Sequence, residues 1–586
     1  MDEKKRDQAH NIDSTTSSIT ETIKKNESLE STTTSKGFIL IICLLYRWWN
    51  AYMTRTFDNP DEYWQGNEIA HGLVFGYGYV TWEWIYQLRS YFHPLLLASV
   101  YKLVSLFNLD HHYWIMNHVL NYFQATLSAT GDFFTFTLTK KLYGNDIAPY
   151  ILFVILSSWF QFLMAPRTLS NTLEAVLTMV AMNYWPFPEL KYNDSKSWLS
   201  QYRLSLFWAT LACITRPTNG LIWFFLGLQL LYHHYRTQTT FQQCWVIILN
   251  AFMIVSFLFM INSLIDTYFY NYYNQQQQND IWWLQLILSD PSKIVFVPWT
   301  FLKTNVFQSI AVFYGMHPFH WYLSQGLPLM LFTFLPFTCI GFYQSMKPSR
   351  FSSSSSSLCG LIIWTVTIYS LLSHKEFRFL YPIFPVLLMM TSFGLKNTCQ
   401  SFTSKKWNLF IIFGLWSSQF FFSIYFSVYH QRGIIDTMTW LQQQQQQTTS
   451  IGFLMPCHST PWQSMMHQPN LSMWFLTCEP PLDKHTDINL YIDQADQFYN
   501  DPLQFLSVHL KRNSSLTPIP TSTEDLIWPT YLVMFDHLLQ LDNGAIKDYL
   551  LSQQNYKQCN RFFNSHFHWD NRRKGDVVIL CTDNSI

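Results

Sequence analysis

Between Gly37 and Ile435 the chain carries 22 Lys/Arg and 15 Asp/Glu, so only about 9% of these 399 residues are charged. Ordinary soluble domains hold about 25% charged residues. A stretch this poor in charge has too little polar surface to cover itself against water. That excludes a soluble cytosolic enzyme. A nucleic-acid binder is excluded as well, because a formal net charge of +0 leaves no basic excess to neutralise phosphates. The remaining solution is an all-α polytopic membrane protein.

Residues 1–36 are rich in Ser, Thr, Lys and Glu without apolar periodicity and read as a disordered tail. No cleavable signal peptide is evident, since the first apolar run starts only at Gly37. That run contains Arg47, which must snorkel or face protein. Lys24, Lys25 and Lys36 hold the tail in the cytosol.

Further apolar runs fall near 91–107, 113–138, 147–165, 169–186, 203–235, 245–262, 327–346, 358–373, 378–396 and 407–429. A spanning helix needs about 20 apolar residues, so the 203–235 run is too long for one and must break at Arg216-Pro217. The pattern predicts roughly eleven spans. Lys140-Lys141, Lys191 with Lys196, and Arg236 recur at alternate loops, as cytosolic loops should. The 91–107 run fits that alternation poorly and reads as partly re-entrant. Three homopolymer tracts, Gln275–Gln278, Ser352–Ser357 and Gln442–Gln447, read as loop expansions without function.

Residues 436–586 contain no spanning run and read as a small soluble domain of mixed α/β structure. They hold Cys457, Cys478, Cys559 and Cys581, and the acceptor-type triplets starting at Asn470 and Asn513. Both features suit an oxidising lumen. The luminal loop 54–90 and this C-terminal domain then lie on the same side.

Four constellations could carry chemistry. The first follows the first helix: Pro60-Asp61-Glu62-Tyr63-Trp64-Gln65, Glu68, His71, then Thr81-Trp82-Glu83-Trp84 ahead of Arg89-Ser90. Five of the fifteen acidic residues of the membrane region lie between Asp58 and Glu83. Adjacent carboxylates at Asp61 and Glu62 repel, which raises the pKa of one and suits a general base. Trp82 and Trp84 offer flat faces for a sugar ring or a membrane interface. The plain alternative is a solvated loop with an aromatic belt. The second is His374-Lys375-Glu376-Phe377-Arg378-Phe379. If helical, it puts Lys375 and Arg378 on one face, either gripping a phosphate or anchoring a helix end. Arg167-Thr168-Leu169-Ser170-Asn171 with Glu174 is the third, and Thr215-Arg216-Pro217 the fourth. Isolated arginines in apolar surroundings mark function or a structural ion pair, such as Arg167 with Glu174.

The sequence offers no metal site: His111-His112 and His233-His234 are adjacent pairs, and no Cys-x-x-Cys or His-Glu-x-x-His spacing occurs. Gly72, Gly76 and Gly78 lack the spacing of a nucleotide loop. A lipid-borne donor reached within the membrane is the natural alternative to a sugar nucleotide.

Taken together and in this order, these motifs resemble glycosyltransferase family 22, the dolichyl-phosphate-mannose-dependent mannosyltransferases of the endoplasmic reticulum. The resemblance covers about residues 37–400. The segments Leu454-Met455-Pro456-Cys457-His458-Ser459-Thr460-Pro461 and Phe475-Leu476-Thr477-Cys478 resemble the branch that extends glycosylphosphatidylinositol (GPI) precursors. Within it, Cys457 and Cys478 are candidates for a luminal disulfide, two free thiols being the alternative.

The resemblance implies a GT-C fold in the endoplasmic reticulum membrane with the site facing the lumen. It implies dolichyl-phosphate-mannose as donor and a GPI precursor as acceptor, with no cofactor or metal. A β-linked donor and an α1,2 product mean inversion, hence one displacement and one base. Asp61 is the expected base, with Glu62 as neighbour or substitute. His374, Lys375 and Arg378, then Arg167, Arg216 and Arg89, are expected at the lipid phosphate. Gln65, His71, Trp82, Glu83 and Trp84 are expected at the sugars. The rival within the family is an α-mannosyltransferase of the lipid-linked N-glycan precursor. A rival of another class is a lipid transporter or scramblase, for which internal repeats would be expected and none is evident.

Overall fold

The structure is a computed structural model that describes residues 36–187, 195–237, 241–272, 293–308, 310–347, 353–402, 404–444, 450–481, 490–511 and 526–582. Each apolar run folds as helix. Residues 36–53 form α1. Glu68–Phe75 forms α2, Phe92–Leu106 α3, Tyr113–Tyr143 α4 and Ser170–Tyr184 α5. The 203–235 run splits as its sequence requires. Ser195–Thr215 (α6) ends at Arg216, Pro217–Asn219 makes a single 3₁₀ turn, and Gly220–Arg236 (α7) resumes. Phe241–Tyr272 (α8), Ser353–Leu371 (α9), Phe384–Ser401 (α10), Lys405–Ile424 (α11) and Gly433–Gln443 (α12) follow.

Among the described residues, four helical stretches are long and apolar enough to cross a membrane: Gln242–Asn271, Tyr322–Met346, Phe377–Ser401 and Lys405–Gln443. The protein is membrane-embedded. Its bundle has a buried centre and an apolar, exposed rim. Nearly all of α5 and the first two-thirds of α10 are buried, whereas α8 exposes Phe252, Met253, Phe257 and Met260. Small residues set the closest approach: a Cβ on Gly394 would overlap the Phe337 carbonyl, and one on Gly341 the Met390 carbonyl. Arg47 faces protein, bonded to Asp132 at 2.6 Å and to Asn50 and the Ile155 carbonyl, so its charge is compensated inside the bundle. Helix α3, at 15 residues, rises about 22 Å, short of a hydrocarbon core of about 30 Å.

Two homopolymer tracts depart from the loop expectation. Ser353–Ser357 opens α9, with Ser355 and Ser357 buried, and Gln442 is buried in α12, donating to the Met465 carbonyl and pairing with Asn117. Composition alone does not tell what a Ser or Gln run packs against. Gln275–Gln278 lies outside the described residues.

The C-terminal part is a five-stranded sheet. Ser450–Leu454 (β1) lies parallel to Ser472–Phe475 (β2) on one side and to Tyr531–Phe535 (β3) on the other. Gly575–Thr582 pairs antiparallel with β3 and with Tyr556–Ser565. Alternation sends Ile451 and Phe453 to one face and Leu454 to the other. The first face is covered by Ile434, Met438 and Leu441 of α12 and by Phe57 and Trp64 of the first loop. Loop and sheet therefore share one hydrophobic core. Cys457 and Cys478 are disulfide-bonded, as are Cys559 and Cys581, while the six cysteines of the helical region are free.

Candidate active site

Residues 54–59 leave α1 as an irregular segment, which turns at Asn59-Pro60, where the Asn59 side chain accepts the Asp61 N–H at 2.9 Å. The chain then coils through Glu62–Asn67 into α2. In this coil Asp61 and Glu62 point to opposite fates. Glu62 is sealed, receiving Arg167 at 2.9 Å and Asn121 at 3.3 Å. Arg167, itself 0% exposed, spends its remaining donors on Thr56 and the Leu163 carbonyl. Asp61 instead reaches Arg378. The two carboxylates do not act as a proton-sharing pair, and Arg167 forms a structural ion pair with Glu62 rather than with Glu174.

Arg378 is the hub. One amino group contacts Asp61 and Asn59 (3.3 Å), while Nε and the other amino group fork onto Glu376 at 2.6 and 2.8 Å. His374 closes the chain, 3.1 Å from Glu376 and held on its other nitrogen by the Gly315 carbonyl. Burial works against the Glu376 charge, but Arg378 and His374 overcome it and hold that carboxylate well below its usual range. Glu376 in turn raises the His374 pKa against the opposing effect of burial. Residues 374–376 are not helical, Glu376 being extended, and a 3₁₀ turn starts only at Phe377, so Lys375 and Arg378 share no helical face. Lys375 is buried and gives its ammonium to the carbonyls of His317 (2.9 Å) and Leu372.

The third and fourth motifs join through Asn171. Its amide donates to the Arg378 carbonyl at 3.1 Å, and its oxygen accepts from Arg216 at 3.4 Å. Arg216 also contacts Ser170 and pairs with Glu174 at 3.4 Å.

Asp61, Gln65, Trp84, Arg89, His93 and Thr215 line one cleft. Arg89, Ser90, Thr215, Arg216, Val297 and Phe301 line an adjoining one. Gln65 donates to Glu83 at 2.8 Å, and Arg89 lies 3.6 Å from the same carboxylate. Burial raises the Glu83 pKa, with the Asp61 charge adding to it and Arg89 opposing. Of the cations expected at a phosphate, Arg89, Arg216 and Arg378 reach this region and His374 joins through Glu376; Arg167 and Lys375 are spent elsewhere. Trp82 packs on Leu88 and Ile310 outside these clefts. His71 is fully buried, bonded to the Tyr77 carbonyl at 3.0 Å and to His467 at 2.9 Å.

The sheet backs the loop. Trp64 donates to the Thr460 carbonyl at 2.8 Å and packs on His458, whose ring centre is 4.3 Å away. Glu68 accepts backbone N–H groups from Tyr79, Gln463 and Ser464. Asn470 is exposed and Asn513 lies outside the described residues. Sequence reading missed Asn59, His93 and this backing; His93 carries a signal only in its closeness to Arg89-Ser90.

A carboxylate oriented by a guanidinium, beside a cleft that two more arginines line, can take a proton at one end and steady a departing anion at the other. Bundle and sheet together resemble a solved structure, that of ArnT from Cupriavidus metallidurans bound to undecaprenyl phosphate. The TM-score is 0.51 at 12% identity, over 92% of this chain and 97% of that one. The protein thus has the GT-C fold.

Residues 38–467 match the Alg9-like mannosyltransferase family, and the chain belongs to it. It is 36% identical to GPI mannosyltransferase 3 of Yarrowia lipolytica over 545 residues, 93% of this chain and 97% of that protein. It is 36% identical to GPI alpha-1,2-mannosyltransferase 3 of Homo sapiens over 535 residues, 90% of this chain and 84% of that one.

Proposed function

We propose that this protein transfers mannose from dolichyl-phosphate-mannose, with inversion, to the second mannose of a GPI-anchor precursor, forming an α1,2 link. The observation that carries the reading is the arrangement of Asp61, held by Arg378, at a cleft that Arg89 and Arg216 extend away from it. Asp61 takes the proton from the acceptor hydroxyl. The acceptor oxygen bonds to C1 of the mannose as the bond from C1 to the phosphate oxygen breaks, and the electron pair leaves with dolichyl phosphate. Arg89 and Arg216 meet the charge that grows there. Arg378, whose donors are engaged by Asp61, Asn59 and Glu376, orients the base. The names of the relatives support the acceptor class. The polyprenyl phosphate in ArnT, a protein of the same fold, supports a lipid-borne donor.

The site faces the lumen of the endoplasmic reticulum in this reading, which accords with the two disulfides of the sheet region. Depleting the protein and identifying the lipid that accumulates tests the acceptor: a GPI intermediate bearing two mannoses is expected, and a truncated N-glycan precursor would overturn the assignment.

A further inference from the structure

The antiparallel strands Tyr556–Ser565 and Gly575–Thr582 are joined by a connection that opens His566-Phe567-His568-Trp569. Trp569 is 90% exposed, more than any other large apolar side chain among the described residues, and Phe567 is 55% exposed. A lone exposed aromatic is ordinary, but this one stands two residues from a continuous aromatic patch. Phe421, exposed on α11, stacks on Tyr425, and Tyr425 stacks in turn on His566 and Phe567. Phe567 also stacks on His430 at 4.9 Å between ring centres, and the exposed Phe563 packs on His566 at 4.8 Å.

The connection is held firmly against the end of the bundle. Tyr425 Oη lies 3.1 Å from His566 Nδ1, and the Gln431 N–H donates to the Asn564 carbonyl at 2.8 Å. A Cβ on Gly433 would stand 2.8 Å from the Phe563 carbonyl oxygen, so α12 and this strand meet backbone to backbone. The patch also lies at a definite depth. Helix α11 starts at Lys405-Lys406, exposes Trp407, Phe410, Phe413 and Phe421, and runs on through Tyr429. From Trp407 to Phe426 it rises about 29 Å, against a hydrocarbon core of about 30 Å. Tyr425 to His430, and the 566–569 segment packed on them, therefore fall at a membrane–water boundary. Trp and Tyr gather at that level.

We propose that residues 566–569 are a membrane-interface anchor, with Trp569 and Phe567 entering the headgroup region of the adjacent leaflet. A lipid surface is the occupant because the patch runs unbroken from the exposed face of a helix long and apolar enough to cross a membrane. Its Tyr, His and Trp rings also carry polar edges, which suit a boundary that is apolar on one side and wet on the other. The anchor bears on the Asp61 loop through the backbone. Gln431, which donates to Asn564, accepts the Phe57 N–H at 3.1 Å. Seating residues 566–569 thus sets the height at which the sheet and the Asp61 loop stand over the bilayer.

The test uses the full chain in phosphatidylcholine nanodiscs doped with an alkyne-tagged phosphatidylcholine. Trp569→benzoylphenylalanine puts a photo-crosslinker at the tip, and an unchanged Tm is expected because the side chain it replaces is almost free of packing. Val508→benzoylphenylalanine is the control. Val508 is exposed on the Pro502–His509 helix, whose Phe505 and Leu506 cover the face of the sheet turned away from α12. Irradiation is expected to join tagged lipid to position 569 and none to position 508. A crosslink from 569 to a second copy of the chain in place of lipid, equal lipid labelling at the two positions, or no lipid at 569 would overturn the anchor.

Discussion

Asp61 and Arg378, 317 positions apart in the chain, form an ion pair at the edge of the cleft. Arg378 carries Glu376 on its opposite edge, so the guanidinium is fixed in plane and direction by two carboxylates. A fork held on both sides defines where the Asp61 oxygen points.

Arg378→Lys keeps the charge and removes the fork. If Arg378 orients the base, kcat falls about 100-fold with the donor KM little changed. A rise in donor KM at unchanged kcat, measured by steady-state kinetics, would return Arg378 to the phosphate.

Glu62→Gln leaves Arg167 buried beside a neutral partner. The expected effect is on stability, a loss of about 3–5 kcal/mol as for one half of a buried pair, read as a lower Tm or faster proteolysis. A well-folded but inactive Glu62→Gln protein would contradict the structural role.

Replacing Arg89 or Arg216 by Gln removes a cation from the adjoining cleft. Each change is expected to lower kcat/KM for the donor about 100-fold, the order seen when one charge-stabilising donor is lost. Unaltered donor kinetics in both variants would remove the phosphate from this cleft.

Acidity acts on the contact between α2 and the sheet region. His71 is neutral in the fold, because burial pushes its pKa down to about 3, while His467 is also lowered by burial. The unfolded imidazole titrates near 6.5, so below that pH the unfolded state binds more protons and the contact loses stability. At pH 5.5 the loss from His71 amounts to about 1.4 kcal/mol. The hydrogen-exchange protection of residues 463–467, relative to the intrinsic rate at each pH, is expected to fall about tenfold between pH 7.5 and 5.5, and less so in His71→Asn. Equal protection at both pH values would refute the coupling.

The helices were legible because burial in lipid demands continuous apolar runs, and the break at Arg216-Pro217 because proline cannot continue the hydrogen-bond ladder. The motifs were legible as a set, yet their pairings were not. Nothing local tells Arg167 to choose Glu62, 105 positions away, over Glu174 in the same motif, because the choice is made by how the first loop packs on the bundle. Lys375 and Arg378 look alike on paper because spacing implies a shared face only in a helix, and no helix joins the two. The Cys559–Cys581 bond likewise depends on strand register that spacing does not reveal.

The most direct measurement is transfer by the purified full chain, supplied with dolichyl-phosphate-mannose and a GPI acceptor bearing two mannoses. Wild type is expected to form an α1,2-linked third mannose, sensitive to a linkage-specific mannosidase. Asp61→Asn, folded and membrane-inserted, is expected to form none. Near-normal transfer by Asp61→Asn would contradict the assignment of the base, and no transfer by wild type would contradict the proposed reaction itself.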